Sequence, residues 1–139
     1  MSLEPAVVLA SWGGAQYLDW WMLVHLIGGL SLGYAARFFG FDLLPAVVAG
    51  VVIIVGWEIY EELAHIPEPL SNTILDIVLG LVGFLVAYKY FDIQGRQTQT
   101  FLLVVLFAMW IGLNLWGWIS WKKREVARLS PVEEVVRKE

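Results

Sequence analysis

The chain has 139 residues, of which 59% are hydrophobic and 16% charged, and its mean hydropathy is +0.69. Soluble domains contain about 25% charged residues, so this composition favours a membrane protein. The absence of cysteine excludes disulfides, thiolate nucleophiles and thiolate metal ligands. A net charge of −4 gives no basic surface for nucleic acid, so we expect no nucleic-acid partner.

Four apolar runs are each about 20 residues long, which is the length needed to cross a hydrocarbon core of about 30 Å. The predicted spans cover approximately residues 17–39, 43–64, 71–91 and 101–121. Short connections between consecutive spans favour antiparallel neighbours. The sequence therefore predicts an all-α integral membrane bundle of about four transmembrane helices in up-down-up-down order.

Three regions follow from these spans. Residues 1–16 are predicted to be an interfacial N-terminal segment, residues 17–121 the four-helix transmembrane domain, and residues 122–139 a charged C-terminal tail that continues the last helix for a turn or two. On the side of the termini the tail carries Lys122, Lys123, Arg124 and Arg128, against Arg37, Lys89 and Arg96 on the other side. This distribution favours termini in the cytoplasm.

Prolines and tryptophans mark the ends of the runs. Pro45 falls in the first turn of the second helix, Pro67 and Pro69 end that helix, and Ser71 or Asn72 is expected to cap the third. Tryptophans that cluster at the ends of the first and last runs are predicted to be interface anchors: Trp20, Trp21, Trp116, Trp118 and Trp121. Trp57 and Trp110 lie inside their runs and are predicted to pack between helices.

The second span ends in an acidic stripe with the sequence GWEIYEELAH. At about 100° per residue, Glu61, Glu62 and His65 all lie within about 60° of Glu58 around the helix axis. Ionisable groups inside a span are costly, so this face should point at the bundle interior or at a water-filled cavity.

The first and third spans place polar groups at the same end of the bundle. Asp76 begins a stripe that continues with Gly80 and Gly83, and the glycines allow another backbone to approach closely. His25 lies about two turns into the first span, beside further glycines. We therefore expect a layer of His, Glu and Asp side chains near one membrane face.

This residue set suits a divalent metal ion, since imidazole and carboxylate ligands together bind zinc, manganese or iron. The predicted metal ligands are His25, Glu61, His65 and Asp76. The predicted catalytic groups are Glu58, Glu62 and Asp76, with Glu58 or Glu62 as the general base.

Structural explanations compete with these roles. Glu61, Glu62, His65 and Glu68 could form a solvated helix end, and His25 could be a core histidine bonded to a carbonyl or to Glu58. Asn114 is predicted to make a hydrogen bond between helices. Asp19 and Arg37 are predicted to lie in solvent near helix ends.

Two stretches, HLIGGLSLGY (25–34) and WEIYEELAHIPEPLSNTILDIVLGLVG (57–83), resemble the VanZ-like group of small polytopic membrane proteins. In that group an early helix carries a histidine. A later helix ends in an acidic cluster, followed by a proline-containing loop, an aspartate and spaced glycines. The resemblance implies a polytopic bacterial or archaeal membrane protein, related to a group whose named member is linked to glycopeptide antibiotic resistance.

Three functions are compatible with the sequence. The first is a membrane-embedded, metal-dependent enzyme that acts on a lipid or lipid-linked headgroup, so that membrane lipids are its partners. The second is a proton or cation pathway through Glu58 and Asp76, which in so small a bundle would need a homo-oligomer. The third is an accessory subunit of a larger membrane complex that docks through the GxxxG motif at Gly29 and Gly33, with haem ligation by His25 and His65 as a variant.

Overall fold

Four α-helices make up nearly all of the backbone in a computed structural model, which describes residues 19–64 and 68–136. They are α1 (Trp21–Phe38), α2 (Leu43–Leu63), α3 (Leu70–Tyr90) and α4 (Arg96–Val136), with α4 side chains described as far as Lys123. The described ranges contain no β-strand. The predicted all-α fold is confirmed, whereas the predicted interfacial segment (1–16), Pro67 and His65 lie outside the described residues.

Three of the helices are long and apolar enough to cross a membrane: α2, α3 and the Arg96–Lys123 part of α4. Their mean hydropathies are 2.1, 2.0 and 2.0. The 18-residue α1 does not belong to this set, because His25, Ser31 and Arg37 interrupt its apolar residues. The chain is thus a membrane protein in which α1, the one described helix outside this set, is covered by the other three.

That cover comes from the central position of α1, which packs against α2, α3 and α4. Half of its residues are buried, including Trp21 and Tyr34. By contrast, no Cα atom of α2 comes within 8 Å of a Cα atom of α4 in the described part of the chain. The bundle is therefore organised around α1, with a gap between α2 and α4.

The tightest contact joins α1 and α3, which run parallel. Gly29 faces Gly80, and one turn further along both helices Gly33 faces Phe84. A Cβ atom on Gly29 would overlap the carbonyl oxygen of Gly80, so the two backbones touch directly. The GxxxG face that was predicted to dock another subunit is already covered by α3 of the same chain.

The second helix runs antiparallel to α3. Gly50 faces the ring of Phe84, and Ile54, one turn later in α2, faces Gly80, one turn earlier in α3. Pro45 lies in the first turn of α2, as predicted.

The fourth helix runs antiparallel to α1. Leu106 packs with Tyr34, and Trp110 packs against Gly28. Up-down-up-down order is thus confirmed. The helix begins at Arg96, five residues before the predicted start of the span, and continues to Val136 through most of the region predicted to be a tail.

Two loops, residues 39–42 and 91–95, lie together at one end of the bundle, which we call the loop end. Each contains a glycine in the left-handed region, Gly40 with φ +74° and Gly95 with φ +87°. The hydroxyl of Tyr88 donates a 2.8 Å hydrogen bond to the carbonyl of Phe41, which ties the first loop to α3. The opposite end, where α1 and α3 begin and α2 ends, is called the site end.

Two local predictions are wrong. Trp21 is not an interface anchor, because it is only 3% exposed and packs with Val24 against Trp110. The residue that precedes α3 is Pro69, so Asn72 lies inside the helix and its side chain is available for other bonds. Trp116 and Trp118, at 58% and 37% exposed, do lie on the surface as predicted.

Candidate metal centre

His25 lies on the face of α1 that contacts α3, one turn before Gly29. Asp76 lies on α3 one turn before Gly80, so the parallel contact of the two glycines brings His25 and Asp76 to the same level. His25 is 7% exposed and Asp76 is fully buried. The close approach of two backbones thus determines the distance between these side chains.

Three carboxylates surround the imidazole of His25. Its Nδ1 atom is 3.1 Å from Glu58 Oε1, while its Nε2 atom is 3.9 Å from Glu61 Oε2 and 3.9 Å from Asp76 Oδ2. Glu58 and Glu61 come from α2 and are 8% and 4% exposed. The predicted layer of polar groups from three helices is confirmed for these four side chains, which we call the His25 cluster.

Several polar atoms of the His25 cluster have no hydrogen-bond partner among the described residues. They include His25 Nε2, Glu61 Oε2 and Asp76 Oδ1, all buried. Within the described ranges, no Lys or Arg side chain lies at ion-pair distance from these carboxylates. Buried polar groups are normally paired, so the arrangement lacks a positive partner that a cation or protons would supply.

A second network borders the cluster at the membrane surface. The amide of Asn72 donates to Glu68 Oε2 at 2.9 Å and to Asp76 Oδ2 at 3.3 Å. Glu68 precedes α3 and is half-buried. The pKa of Glu68 is raised to about 7, chiefly by burial; the hydrogen bond from Asn72 lowers it, and the negative charge of Asp19 raises it.

The spacing of the donors suits a small divalent cation. His25, Glu58 and Glu61 each offer a ligand atom, and these atoms lie within 4.8 Å of one another, so the three residues could hold a metal ion. Metal–nitrogen and metal–oxygen bonds of about 2.1 Å place tetrahedral ligands roughly 3.4 Å apart. The two 3.9 Å separations from Nε2 are therefore about half an ångström wider than a closed site requires.

Within this geometry the two imidazole nitrogens have different neighbours. Nε2 faces Glu61 and Asp76, whereas Nδ1 faces Glu58. Glu58 Oε1 makes no hydrogen bond to a described residue, and Glu58 and Glu61 both offer atoms within 4.8 Å of a ring nitrogen and of each other. Both glutamates are therefore candidate ligands, whereas Asp76 falls outside this group.

Two predicted site residues are not in the His25 cluster. Glu62 is exposed, because it lies about 100° around α2 from the buried Glu61. Its predicted position on the inner face is wrong, and the structure gives it no contact with His25. His65 lies outside the described residues, so its role as a ligand stays a prediction.

Sequence reasoning also misjudged two polar residues. Asp19, predicted to lie in solvent, is fully buried and accepts a 2.8 Å hydrogen bond from the backbone N–H of Trp21. Aspartate just before an apolar helix is a typical N-terminal signal that would have indicated this position. Asn114, predicted to bond another helix, instead donates to the carbonyl of Trp110 in its own helix at 2.8 Å.

A groove of about 200 Å³ runs beside the His25 cluster, in the gap between α2 and α4. Trp57 and Trp110 bridge the gap, with ring centroids 5.7 Å apart, as predicted for tryptophans inside the runs. The indole N–H of Trp57 donates to Glu61 Oε1 at 2.8 Å. Glu61 therefore lies between the groove and His25.

Comparisons with known proteins found no matching family model, no matching curated protein and no matching solved structure. The resemblance to the VanZ-like group therefore stays a prediction. The site has to be interpreted from its own geometry.

Proposed function

We propose that the protein is a membrane-embedded enzyme that uses one divalent metal ion in the His25 cluster to act on a lipid or lipid-linked headgroup. The approach of Glu58 and Glu61 to the buried imidazole of His25, with ligand atoms of all three residues within 4.8 Å of one another, carries the proposal. Three buried donors without a described Lys or Arg partner would leave room for water or substrate on a bound ion.

Each residue of the cluster has a task in this proposal. His25, Glu58 and Glu61 would bind the ion, which would be zinc, manganese or iron given their nitrogen and oxygen donors. Asp76 is a positioning residue, because its Oδ2 atom lies 3.9 Å from Nε2 of the imidazole. A bound divalent ion would supply Lewis-acid chemistry at a phosphoryl or carbonyl oxygen.

The location of the cluster supports a headgroup substrate. Glu61 is two residues before the end of α2, and Asp76 is less than two turns into α3, so both lie near one membrane face. The groove that reaches Glu61 lies between two helices whose outer faces are apolar. A lipid headgroup could therefore approach Glu61 from the side, without crossing the bundle.

A proton or cation pathway has weaker support. The described residues contain no further buried carboxylate or imidazole between the His25 cluster and the loop end. The hydroxyl of Ser31 donates to the carbonyl of Ile27 in its own helix. The polar layer therefore does not continue as a chain of titratable groups across the bundle.

Metal content tests the proposal directly. Protein purified in detergent is expected to hold close to one divalent ion per chain by elemental mass spectrometry. Glu61→Gln and His25→Gln should lose most of it, because each removes a ligand charge or the imidazole. Glu62→Gln is the matched control, since it makes the same chemical change on the exposed neighbouring residue and should keep the metal.

The enzymatic step needs its own readout. Wild-type protein in mixed phospholipid vesicles should release a headgroup fragment, and a chelator should abolish the release. Metal-free wild-type protein that is folded would contradict the metal centre. Stoichiometric metal without any conversion of lipid would contradict the enzyme and leave only a metal-binding protein.

A further inference from the structure

The groove between α2 and α4 has a composition that the metal centre does not explain. Aromatic side chains line it from three helices, namely Trp21, Trp57, Tyr60 and Trp118. The one acidic side chain in its lining is Glu61, which is 4% exposed. Aromatic faces around a carboxylate are typical of sites that recognise organic cations.

Glu61 presents its two oxygens differently. Oε1 accepts the hydrogen bond from Trp57, whereas Oε2 has no hydrogen-bond partner and lies 3.9 Å from His25 Nε2. The carboxylate is held in place by the indole of a groove residue. The carboxyl group therefore lies in the wall that the groove shares with the His25 cluster.

The groove lies near the site-end limits of two apolar helices. Tyr60 is three residues before the end of α2, and Trp118 is five residues before the end of the apolar part of α4. One of these rings already makes a cation–π contact, since Lys122 Nζ lies 5.2 Å from the centroid of the Trp118 ring. The site thus combines the depth of an ammonium headgroup with rings that accept positive charge.

We propose that this groove binds the quaternary ammonium group of a zwitterionic lipid headgroup. The volume fits, because a cavity of about 150 Å³ accepts benzene and this one is about 200 Å³. A quaternary ammonium donates no hydrogen bond, so aromatic faces and one carboxylate satisfy it fully. The inference deepens the proposed function, since it names the class of headgroup beside the metal centre.

Binding of choline and of its uncharged isostere 3,3-dimethylbutan-1-ol tests the proposal. Both ligands have the same shape, and only choline carries the charge. Tryptophan fluorescence of the purified protein in a non-ionic detergent should respond to choline with saturation and respond far less to the alcohol. Equal responses to the two ligands would overturn the proposal.

Variants locate the site. Trp118→Leu should weaken choline binding about tenfold or more, and Trp118→Phe should restore part of it because an aromatic face remains. Trp116→Leu is the matched control, since it removes a neighbouring exposed indole outside the groove. Equal loss in the Trp116 and Trp118 variants would contradict a site in this groove.

Lipid exchange decides whether the occupant is a headgroup. In nanodiscs of phosphatidylcholine mixed with phosphatidylglycerol, native mass spectrometry should show phosphatidylcholine retained by wild-type protein and lost in Trp118→Leu. Choline binding without this preference would overturn the headgroup assignment.

The same samples separate this inference from the proposed function, because Trp118 is not a proposed ligand. Selective choline binding by protein without metal would refute the metal centre and uphold the groove. Stoichiometric metal without choline selectivity would refute the groove and uphold the metal centre.

Discussion

The charged side chains at the two ends of the bundle differ in exposure and in partners. At the loop end, Arg37 lies 3.7 Å from Asp92, and their side chains are 50% and 69% exposed. The guanidinium of Arg96 lies 3.7 Å above the ring centroid of Phe38, also at the surface. At the site end, three buried carboxylates surround one imidazole without a described Lys or Arg within ion-pair distance.

This difference in exposure separates charges that are free in solvent from charges whose positions are set by helix packing. Charges at the loop end are solvated and would tolerate movement of the chain. Charges at the site end are held by helix contacts, and removing their water is costly unless a cation or protons compensate. Among the described residues, such a buried cluster occurs only at the site end. Any function of the cluster is therefore confined to that end of the bundle.

The largest effect should come from separating α1 and α3. Gly29→Val would place side-chain atoms against the backbone of Gly80, so we expect a loss of about 3 kcal/mol or more in the free energy of unfolding, together with the metal. Thermal unfolding in detergent and metal content measure both effects. Gly112→Val is the matched control, because a Cβ at Gly112 meets nothing within 4 Å. Equal destabilisation by the two substitutions would mean that the site end does not depend on the glycine contact.

An intermediate effect should come from the pH dependence of Glu68. Its pKa is raised to about 7 in the folded protein, so its contribution to stability is complete below about pH 4.5 and is lost as the pH rises through 7. We expect wild-type protein to lose about 1–2 kcal/mol of unfolding free energy between pH 5 and 8 through this group, after allowance for its partial exposure. Glu68→Gln should remove that part of the slope in thermal unfolding, and an unchanged slope would refute the shift.

The smallest effect should come from the loop end. Arg37→Ala removes an exposed ion pair, so the free energy of unfolding should change by about 0.5 kcal/mol or less. Metal content should stay at the wild-type value. A loss of metal in this variant would show that the loop end and the site end are coupled, and that their charges are not independent.

The sequence predicted the helices and the polar layer because both follow from local spacing. Run length gives the spans, and helical periodicity brings Glu58, Glu61 and Asp76 to inward faces. The same periodicity places Glu62 and Glu61 on either side of Glu58. Which of the two is buried depends on where α1 and α3 lie around α2, and no local pattern contains that information.

The glycine motifs also lack information about which helix lies next to them. The spacing of Gly29 and Gly33 predicts a close helix contact, but small residues do not identify their partner. The structure assigns the contact to Gly80 and Phe84 of α3, two helices later in the chain. Identifying that partner from sequence would require knowing that the parallel pair, and not an antiparallel neighbour, packs most closely.

The central position of α1 has a consequence for how the protein is made. Because synthesis proceeds from the N-terminus, His25 is translated 51 residues before Asp76. The helix that falls outside the set of membrane-spanning candidates, with His25 on its face, thus reaches the insertion machinery before the helix that covers that face is complete. We therefore expect stable insertion of α1 to depend on the arrival of α3, which also brings Asp76 to His25.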